Sequence, residues 1–205
     1  MIKLLYLDEE QGWQSTFHTK FTKKYELSIP EFMPQSIDDI WPMVGEAQVV
    51  ITDYRLNGSG DVAYTGDDVA RMIHRHNKHL PVFIITSYED NAIQECTETQ
   101  IIRGKEMFTN AQLLDKLCLM IEAAVNIYDS KKRDCELCIQ RLLDKIERGE
   151  ELTPTEESDR FDAELYLSEL DMDSSVRAKM ISSSTAMTID NMMAMAQSIL
   201  FNHKG

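Results

Sequence analysis

Five polar residues stand where apolar runs of the sequence end. Asp8 and Glu9 follow KLLYL, Asp53 follows VVIT, Thr86 closes VFIIT, and Lys105 comes soon after TQIIR. Two or three carboxylates can bind an octahedral Mg²⁺ ion, and the metal together with a lysine ammonium can neutralise a phosphoryl group. A hydroxyl can donate a hydrogen bond to a phosphoryl oxygen, and a carboxylate can be the nucleophile that accepts the group. These residue types predict that Asp53 is phosphorylated.

The apolar runs alternate with helical patterns through the first 129 residues. Short runs rich in Val, Ile and Leu predict buried strands, which fall at 3–7, 26–29, 49–52, 82–86 and 99–103. Helices are predicted between them, at 10–25, 36–44, 66–78, 89–97 and 111–128. Strict alternation of strand and helix predicts an α/β fold, a (βα)5 doubly wound parallel sheet with helices on both faces. Ligands of such folds bind beyond the carboxyl ends of the strands, where the five polar residues stand.

Four segments carry a family resemblance: LLYLDEE, VVITDYRL, LPVFIITSYED and IIRGKEMFTNAQLLDKL. In this order, each at a strand end, they resemble the receiver domain of bacterial two-component response regulators. The resemblance covers residues 1 to about 129 and implies a flavodoxin-like fold. It also implies a phosphoryl donor, either a histidine kinase or a phosphotransfer protein, and Mg²⁺ as the cofactor.

The resemblance assigns roles to individual residues of this chain. The phosphoacceptor is Asp53, the metal ligands are Asp8, Glu9, Asp53 and the backbone carbonyl of Arg55, and the phosphate partners are Thr86 and Lys105. Members of the family catalyse their own phosphorylation and dephosphorylation, and no other enzymatic activity is expected. In the same family, the side chains at the positions of Arg55 and Tyr88 control the access of water to the acyl phosphate.

The sequence departs from the family pattern at several positions. Glu106 stands where a proline usually follows the lysine, and Ile102 stands where an aromatic residue usually turns inward on activation. The segment between Asp53 and Gly66 is longer than usual, and its turn residues predict a mobile surface loop. These departures keep a second hypothesis open, a receiver-like adaptor that binds partners without being phosphorylated.

The last third of the chain is predicted to be helical. Residues 130–148 form a helical connector, in which the preceding helix either extends or is followed by a second one. Thr153, Pro154 and Glu156 have the pattern of a capped helix start. Four methionines near the C-terminus are interpreted either as core or as an adaptable partner surface; they are Met187, Met192, Met193 and Met195.

Charge and composition limit the function classes. The formal net charge is −14, and residues 149–205 hold eleven acidic and four basic residues. Nucleic-acid affinity comes mainly from clustered Lys and Arg, so an acidic helical output module that binds protein is predicted and a DNA-binding regulator is the weaker alternative. Four cysteines and no export or membrane signal predict a cytoplasmic protein. A homodimer and the identity of the output partner are left open.

Overall fold

A computed structural model of the chain describes residues 1–96 and 101–170. The chain divides into two compact units, Met1–Ser130 and Lys131–Gly205. The first unit contains one sheet of five parallel strands, which are β1 Ile2–Leu7, β2 Tyr25–Ser28, β3 Val49–Thr52, β4 Val82–Thr86 and β5 Ile101–Gly104. Their order is β2-β1-β3-β4-β5. This order confirms the predicted flavodoxin-like (βα)5 sheet, whose switch point lies between β1 and β3.

Helices connect the strands of this sheet. They are α1 Gln11–Phe21, α2 Trp41–Val44, α3 Gly66–His76, α4 Glu89–Glu95 and α5 Ala111–Glu147, with 3-10 segments at Ile37–Ile40 and Lys105–Phe108. The first helix ends before its predicted limit because Tyr25 already pairs with Ile2 at the start of β2. The predicted ends of the fourth helix and the start of the fifth strand fall partly on residues 97–100, outside the described residues.

The core lies on both faces of the sheet because the side chains of a strand alternate between its faces. On one face Leu4 and Tyr6 pack with side chains of α1 and α5, among them Phe17 and Ile121. On the other face the next residues of β1 pack with α2 and α3; this second cluster includes Leu5, Leu7, Val44, Val69 and Ile73. Both faces are therefore buried, as the continuous apolar strand sequences require.

The loop between Asp53 and α3 is more firmly held than predicted. Leu56, Val62 and Tyr64 of this loop are buried in the second core cluster, and the Tyr64 hydroxyl donates a hydrogen bond to the Pro34 carbonyl over 2.5 Å. Its turn residues suggested a mobile surface segment, but the apolar residues between them anchor the loop in the core.

The last helix of the first unit does not stop near Tyr128. One continuous helix, α5, runs from Ala111 to Glu147, so the first of the two alternatives for the connector is correct. The helix ends at Glu147. Two residues later Gly149 has a φ of 76°, in the left-handed region that glycine tolerates best. The Gly149 N–H donates to the Ile146 carbonyl over 2.8 Å, which satisfies one of the terminal carbonyls of the helix.

The second unit contains one further described helix, α6, at Pro154–Ser168. Its start is as predicted: Thr153 is the N-cap and forms a reciprocal capping box with Glu156. Lys145 of α5 donates hydrogen bonds of 2.9 and 2.7 Å to the two carboxylate oxygens of Glu156. The four C-terminal methionines lie outside the described residues. Within residues 1–96 and 101–170, no helix combines the length and apolar character needed to cross a membrane.

Candidate functional site

The carboxyl ends of four strands bring the candidate residues to one edge of the sheet. Leu7 pairs with Thr52, so Asp8 and Asp53 both follow neighbouring strand ends. Thr86 is the last residue of β4 and pairs with Gly104, which immediately precedes Lys105. Asp8, Asp53, Thr86 and Lys105 are all buried. The predicted edge of the sheet is thus where the polar residues are buried together.

Lys105 is the centre of the site. Its ammonium Nζ lies 2.9 Å from Asp8 Oδ2, 3.2 Å from Asp53 Oδ1 and 3.8 Å from Glu10 Oε1. It also lies 5.2 Å from the centre of the Trp13 ring, within the range of a cation–π interaction. Burial disfavours the ammonium, but the charges of Asp53 and Asp8 outweigh burial and raise the pKa of Lys105. The lysine is therefore a permanent positive charge between two buried aspartates.

The two carboxylate oxygens of Asp53 have different surroundings. Its Oδ2 accepts a hydrogen bond of 2.8 Å from the backbone N–H of Arg55, while the buried Oδ1 has no hydrogen bond and faces only the charge of Lys105. Burial raises the pKa of Asp53, and the neighbouring charge of Asp8 acts in the same direction. An oxygen held in place but not hydrogen-bonded is suited to act as a nucleophile.

Asp8 differs from Asp53 because its carboxylate is fully engaged. The hydroxyl of Tyr6 donates to Asp8 Oδ2 over 2.5 Å, and the backbone N–H of Glu10 donates to Oδ1 over 2.9 Å. The Gln14 side chain donates to the Asp8 carbonyl over 2.7 Å and so holds the backbone as well. Tyr6 was not predicted as a site residue, although it lies two positions before Asp8 in β1 and therefore on the same face of the strand.

Glu9 is the least compensated carboxylate of the site. Its Oε2 is buried without a hydrogen bond, and burial, with the charges of Asp53 and Asp8, raises the pKa of Glu9 to about 7. A Cβ at Gly58 would lie 2.9 Å from Glu9 Oε1 and 3.2 Å from the Arg55 carbonyl oxygen. The loop therefore approaches Glu9 closely at a residue that has no side chain.

These donors fit a divalent cation. The carboxylates of Asp8, Glu10 and Asp53 lie within 4 Å of a single lysine ammonium. Glu9 Oε2 and Asp53 Oδ1, which have no hydrogen bond, are hard ligands of the kind that Mg²⁺ prefers. In the part of the chain that the structure describes, no group of three acidic, histidine or cysteine side chains is arranged to hold a metal ion. The charge on Lys105 neutralises part of the site, and the remaining negative charge is what a cation would balance.

Two backbone contacts fix the surroundings of Asp53. Thr86 Oγ1 accepts a hydrogen bond of 3.2 Å from the Tyr88 N–H, which orients the loop after β4. At the start of α3, a Cβ on Gly66 would lie only 2.0 Å from the Asp53 carbonyl oxygen. No side chain fits there, so α3 begins in direct contact with the backbone of the candidate nucleophile. Apart from a glycine at a predicted helix start, no sequence pattern indicated this contact.

The predicted pair of flanking side chains is in contact. The Arg55 guanidinium carbon lies 3.6 Å from the centre of the Tyr88 ring, a cation–π geometry. Arg55 is joined through its backbone to Asp53, and Tyr88 through its backbone to Thr86. The two side chains thus meet across the neighbouring carboxyl ends of β3 and β4.

Several solved structures similar to this chain are response regulators or their receiver domains. One is a response regulator receiver domain from Clostridium thermocellum, with 23% identity, TM-score 0.48, and coverage of 63% of this chain and 98% of the other. Another is the non-phosphorylated HemR receiver domain from Leptospira biflexa, with 17% identity, TM-score 0.44, and coverage of 61% and 94%. A third is the response regulator TrrA from Thermotoga maritima in complex with Mg²⁺-BeF, with 18% identity, TM-score 0.45, and coverage of 57% and 96%. No family model and no curated protein matches the chain.

The strand order of this chain decides the fold. Residues 1–130 have the flavodoxin-like (βα)5 fold. In this fold Ile102 is buried in a small cluster with Tyr54, Ile84, Ala92 and Cys96. The Tyr54 hydroxyl donates a short hydrogen bond to Glu95 at the end of α4. An aromatic residue does contact α4, but it directly follows Asp53 and is not at the expected position on β5.

Proposed function

We propose that the chain is a response-regulator-like signalling protein whose Asp53 accepts a phosphoryl group. The observation that carries this proposal is the asymmetry of Asp53: its Oδ2 is held by the Arg55 N–H, and its buried Oδ1 faces the Lys105 ammonium without a hydrogen bond. A carboxylate that only capped a turn would not require a buried lysine ammonium 3.2 Å from its second oxygen.

The proposed donor is a histidine kinase or a phosphotransfer protein. An oxygen of Asp53 attacks the phosphorus, an O–P bond forms, and the P–N bond to the donor histidine breaks with its electron pair returning to nitrogen. Lys105 stabilises the negative charge that spreads over the phosphoryl oxygens, because its own positive charge is maintained by Asp8 and Asp53. Thr86, at the end of the neighbouring strand, supplies a hydroxyl to the same edge.

Mg²⁺ is the proposed cofactor, and this chain has the residues to hold it. The proposed ligands, which follow from the family resemblance, are carboxylate oxygens of Asp8, Glu9 and Asp53 together with the backbone carbonyl of Arg55. Of these atoms, Glu9 Oε2 and Asp53 Oδ1 are buried without a hydrogen bond. When bound, Mg²⁺ supplies positive charge that neutralises the phosphoryl group. Glu9 contributes a buried oxygen without a hydrogen bond, which gives it the strongest need for a cation in the site.

The proposed output is protein–protein interaction by the helical part of the chain. The whole chain has a formal net charge of −14, which disfavours contact with a phosphate backbone. The same proposal includes a cytoplasmic location and a protein as the output partner. That partner is either another protein or a second copy of this chain in a homodimer.

Intact-mass spectrometry tests the proposal directly. After incubation with acetyl phosphate and Mg²⁺, the wild type is expected to gain the mass of one phosphoryl group, and Asp53→Asn is expected to gain none. Asp61→Asn is the matched control: it makes the same chemical change at an exposed aspartate of the neighbouring loop and should be phosphorylated like the wild type.

A different result would favour the runner-up function. If the wild type gains no mass from acetyl phosphate and none from a histidine kinase preparation, the chain is a receiver-like adaptor that acts without phosphorylation. If Asp53→Asn gains as much mass as the wild type, another residue is the phosphoacceptor and the assignment of Asp53 is wrong.

A further inference from the structure

A buried tyrosine contacts the acidic site from the core of the sheet. Tyr6 is fully buried, and its ring stacks on Phe17 with 3.9 Å between ring centroids and an interplanar angle of 6°. Its hydroxyl has one hydrogen-bond partner among the described contacts, Asp8 Oδ2 at 2.5 Å. Tyr6 therefore reaches the candidate site with a single polar atom, while its ring belongs to the core.

This hydroxyl is one of three neighbours that orient the Asp8 carboxylate. Asp8 Oδ2 accepts from Tyr6 and lies 2.9 Å from the Lys105 ammonium, and Asp8 Oδ1 accepts from the Glu10 N–H. Both oxygens of Asp8 are thus oriented by neighbours of this chain. The buried oxygens without hydrogen bonds are Glu9 Oε2 and Asp53 Oδ1.

We propose that Tyr6 is a positioning residue for the cation site. It does not touch the ion: it donates to Asp8 Oδ2, fixes the orientation of that carboxylate, and through it holds Lys105 between Asp8 and Asp53. Outer residues that hydrogen-bond to ligands or to their neighbours set the geometry of a metal site and strengthen metal binding. This inference rests on the proposed function, because it concerns the affinity of the same site for a divalent cation.

A purely structural role for Tyr6 makes a different prediction. If the hydroxyl only satisfied a buried polar group, its loss would lower the melting temperature of the metal-free protein and leave metal affinity unchanged. If it positions Asp8, its loss weakens metal binding even in a protein that remains folded.

The test is an equilibrium titration of the full chain with Mn²⁺, which accepts the same oxygen ligands as Mg²⁺ and whose free concentration is measured by electron paramagnetic resonance. Tyr6→Phe removes one oxygen atom and keeps the stacked ring. We expect it to weaken Mn²⁺ binding by about 10- to 100-fold. Tyr25→Phe is the matched control, since Tyr25 lies in the same core cluster at the opposite end of the sheet and its hydroxyl faces the Cys118 carbonyl. The control should bind Mn²⁺ like the wild type.

A second comparison ties the effect to Asp8. In an Asp8→Asn background, adding Tyr6→Phe should cause no further loss of affinity, because the group that Tyr6 positions has already lost its charge. Should Tyr6→Phe fail to fold by circular dichroism, Tyr6→Met replaces it, since a flexible side chain of similar size also lacks the hydroxyl.

Three outcomes contradict the inference. Unchanged Mn²⁺ affinity in Tyr6→Phe would show that the hydroxyl is only a core contact. An equal loss with and without Asp8→Asn would show that Tyr6 acts elsewhere. Absence of Mn²⁺ binding by the wild type would contradict the cation site itself and this inference with it, whereas phosphorylation of Asp53 is measured separately by intact mass.

Discussion

Three carboxylates around one lysine leave the site with excess negative charge. Asp8 and Asp53 each lie close to the Lys105 ammonium, but Glu9 Oε2 has no hydrogen-bond partner. Burial already raises the pKa values of Glu9 and Asp53, which shows that the negative forms of these residues are stabilised too little by the surrounding protein. A bound cation would therefore stabilise the folded protein as well as neutralise a phosphoryl group.

Mg²⁺ should accordingly raise the melting temperature. For a dissociation constant near 1 mM, ~10 mM Mg²⁺ adds about 1.4 kcal/mol to the free energy of unfolding, or about 3–6 °C. Differential scanning calorimetry measures this rise, which Asp8→Asn should largely remove because the site loses one of its charges. Asp61→Asn should keep it. A variant Asp8→Asn that responds to Mg²⁺ like the wild type would exclude Asp8 from the site.

The Arg55–Tyr88 contact should slow the hydrolysis of phosphorylated Asp53. The Arg55 guanidinium lies over the Tyr88 ring, and we expect the pair to cover a phosphoryl group on Asp53 and to limit the access of water. Replacing both residues by alanine should speed loss of the phosphoryl group by roughly 2- to 30-fold, the range that corresponds to the 0.5–2 kcal/mol of such a pair. Tyr88→Phe keeps the ring and is the control. Equal half-lives of the wild type and the double variant, followed by intact mass, would show that the pair does not cover the group.

At the residue scale, the sequence predicted positions better than contacts. Asp53 and Lys105 could be predicted because each follows an apolar run, and parallel strands bring such ends to one edge. Tyr6 was counted with its apolar neighbours because its ring is buried, although its spacing from Asp8 indicated a shared face. Nothing in a one-dimensional pattern could show that Gly66 touches the Asp53 carbonyl, since that contact depends on the path of the loop between them.

Helix α4 is short, and a tertiary hydrogen bond reaches its last turn. The Tyr54 hydroxyl donates to the Glu95 carboxylate, and this hydrogen bond is the main reason that the pKa of Tyr54 rises to about 12. Seven residues are too few for a helix to be stable without tertiary contacts. Tyr54, which directly follows the candidate phosphoacceptor Asp53, therefore connects the end of β3 to the last turn of α4.

Tyr54→Phe should loosen α4. A hydrogen bond of about 0.5–1.5 kcal/mol corresponds to roughly 2- to 10-fold faster amide exchange in the last turn. Hydrogen exchange followed by mass spectrometry can resolve the peptide that contains Glu89–Glu95. Glu95→Ala removes the acceptor and should have a similar effect, whereas peptides from α3 should exchange at the wild-type rate. Unchanged protection of α4 in both variants would mean that the apolar cluster alone holds it.

The start of α6 should respond to acid through Glu156. The hydrogen bond from Lys145 is the largest effect that lowers the pKa of Glu156 to about 2, and the hydrogen bonds from Thr153 in the capping box lower this pKa further. A carboxyl whose pKa is lower in the folded state stabilises the fold above its ordinary pKa of 4.5 and loses that effect as the pH falls towards 2.

Circular dichroism from pH 5 to 2 can measure this loss. Wild-type thermal stability should fall over that range more than that of Glu156→Gln, which lacks the titrating group. Glu157→Gln is the control, since the neighbouring residue is exposed and does not contact Lys145 among the described ion pairs. Parallel pH profiles for the wild type and Glu156→Gln would show that this ion pair does not contribute.

At the element scale, capping residues were more informative than helix periodicity. Thr153, Pro154 and Glu156 located the start of α6, because a capping box is a local arrangement that a short sequence specifies completely. The end of α5 was left open, since the mixed basic and acidic residues after Tyr128 are compatible with either a continuous or a broken helix. The break comes only at Gly149, where the backbone adopts a positive φ.

The charge of the whole molecule opposes binding to nucleic acid. The chain has twenty-one basic and thirty-five acidic side chains. A specific DNA-binding module normally neutralises several phosphates with clustered Lys and Arg. We expect the full chain, with or without a phosphoryl group on Asp53, to show no binding to duplex DNA in about 150 mM salt by electrophoretic mobility shift. Nanomolar, sequence-selective binding would contradict the proposed protein output and favour a transcriptional regulator.

The contact between Gly66 and the Asp53 carbonyl has a genetic consequence. Every single-nucleotide missense change in a glycine codon introduces a residue with a Cβ, and at this position any Cβ would lie 2.0 Å from a backbone oxygen that cannot move independently of the sheet. Single-nucleotide changes in the codon for residue 66 are therefore either synonymous or introduce a side chain that does not fit. In a saturation library selected for the proposed signalling function, this position should be as depleted of variants as the codon of Asp53, the proposed nucleophile, although Gly66 carries no chemistry of its own.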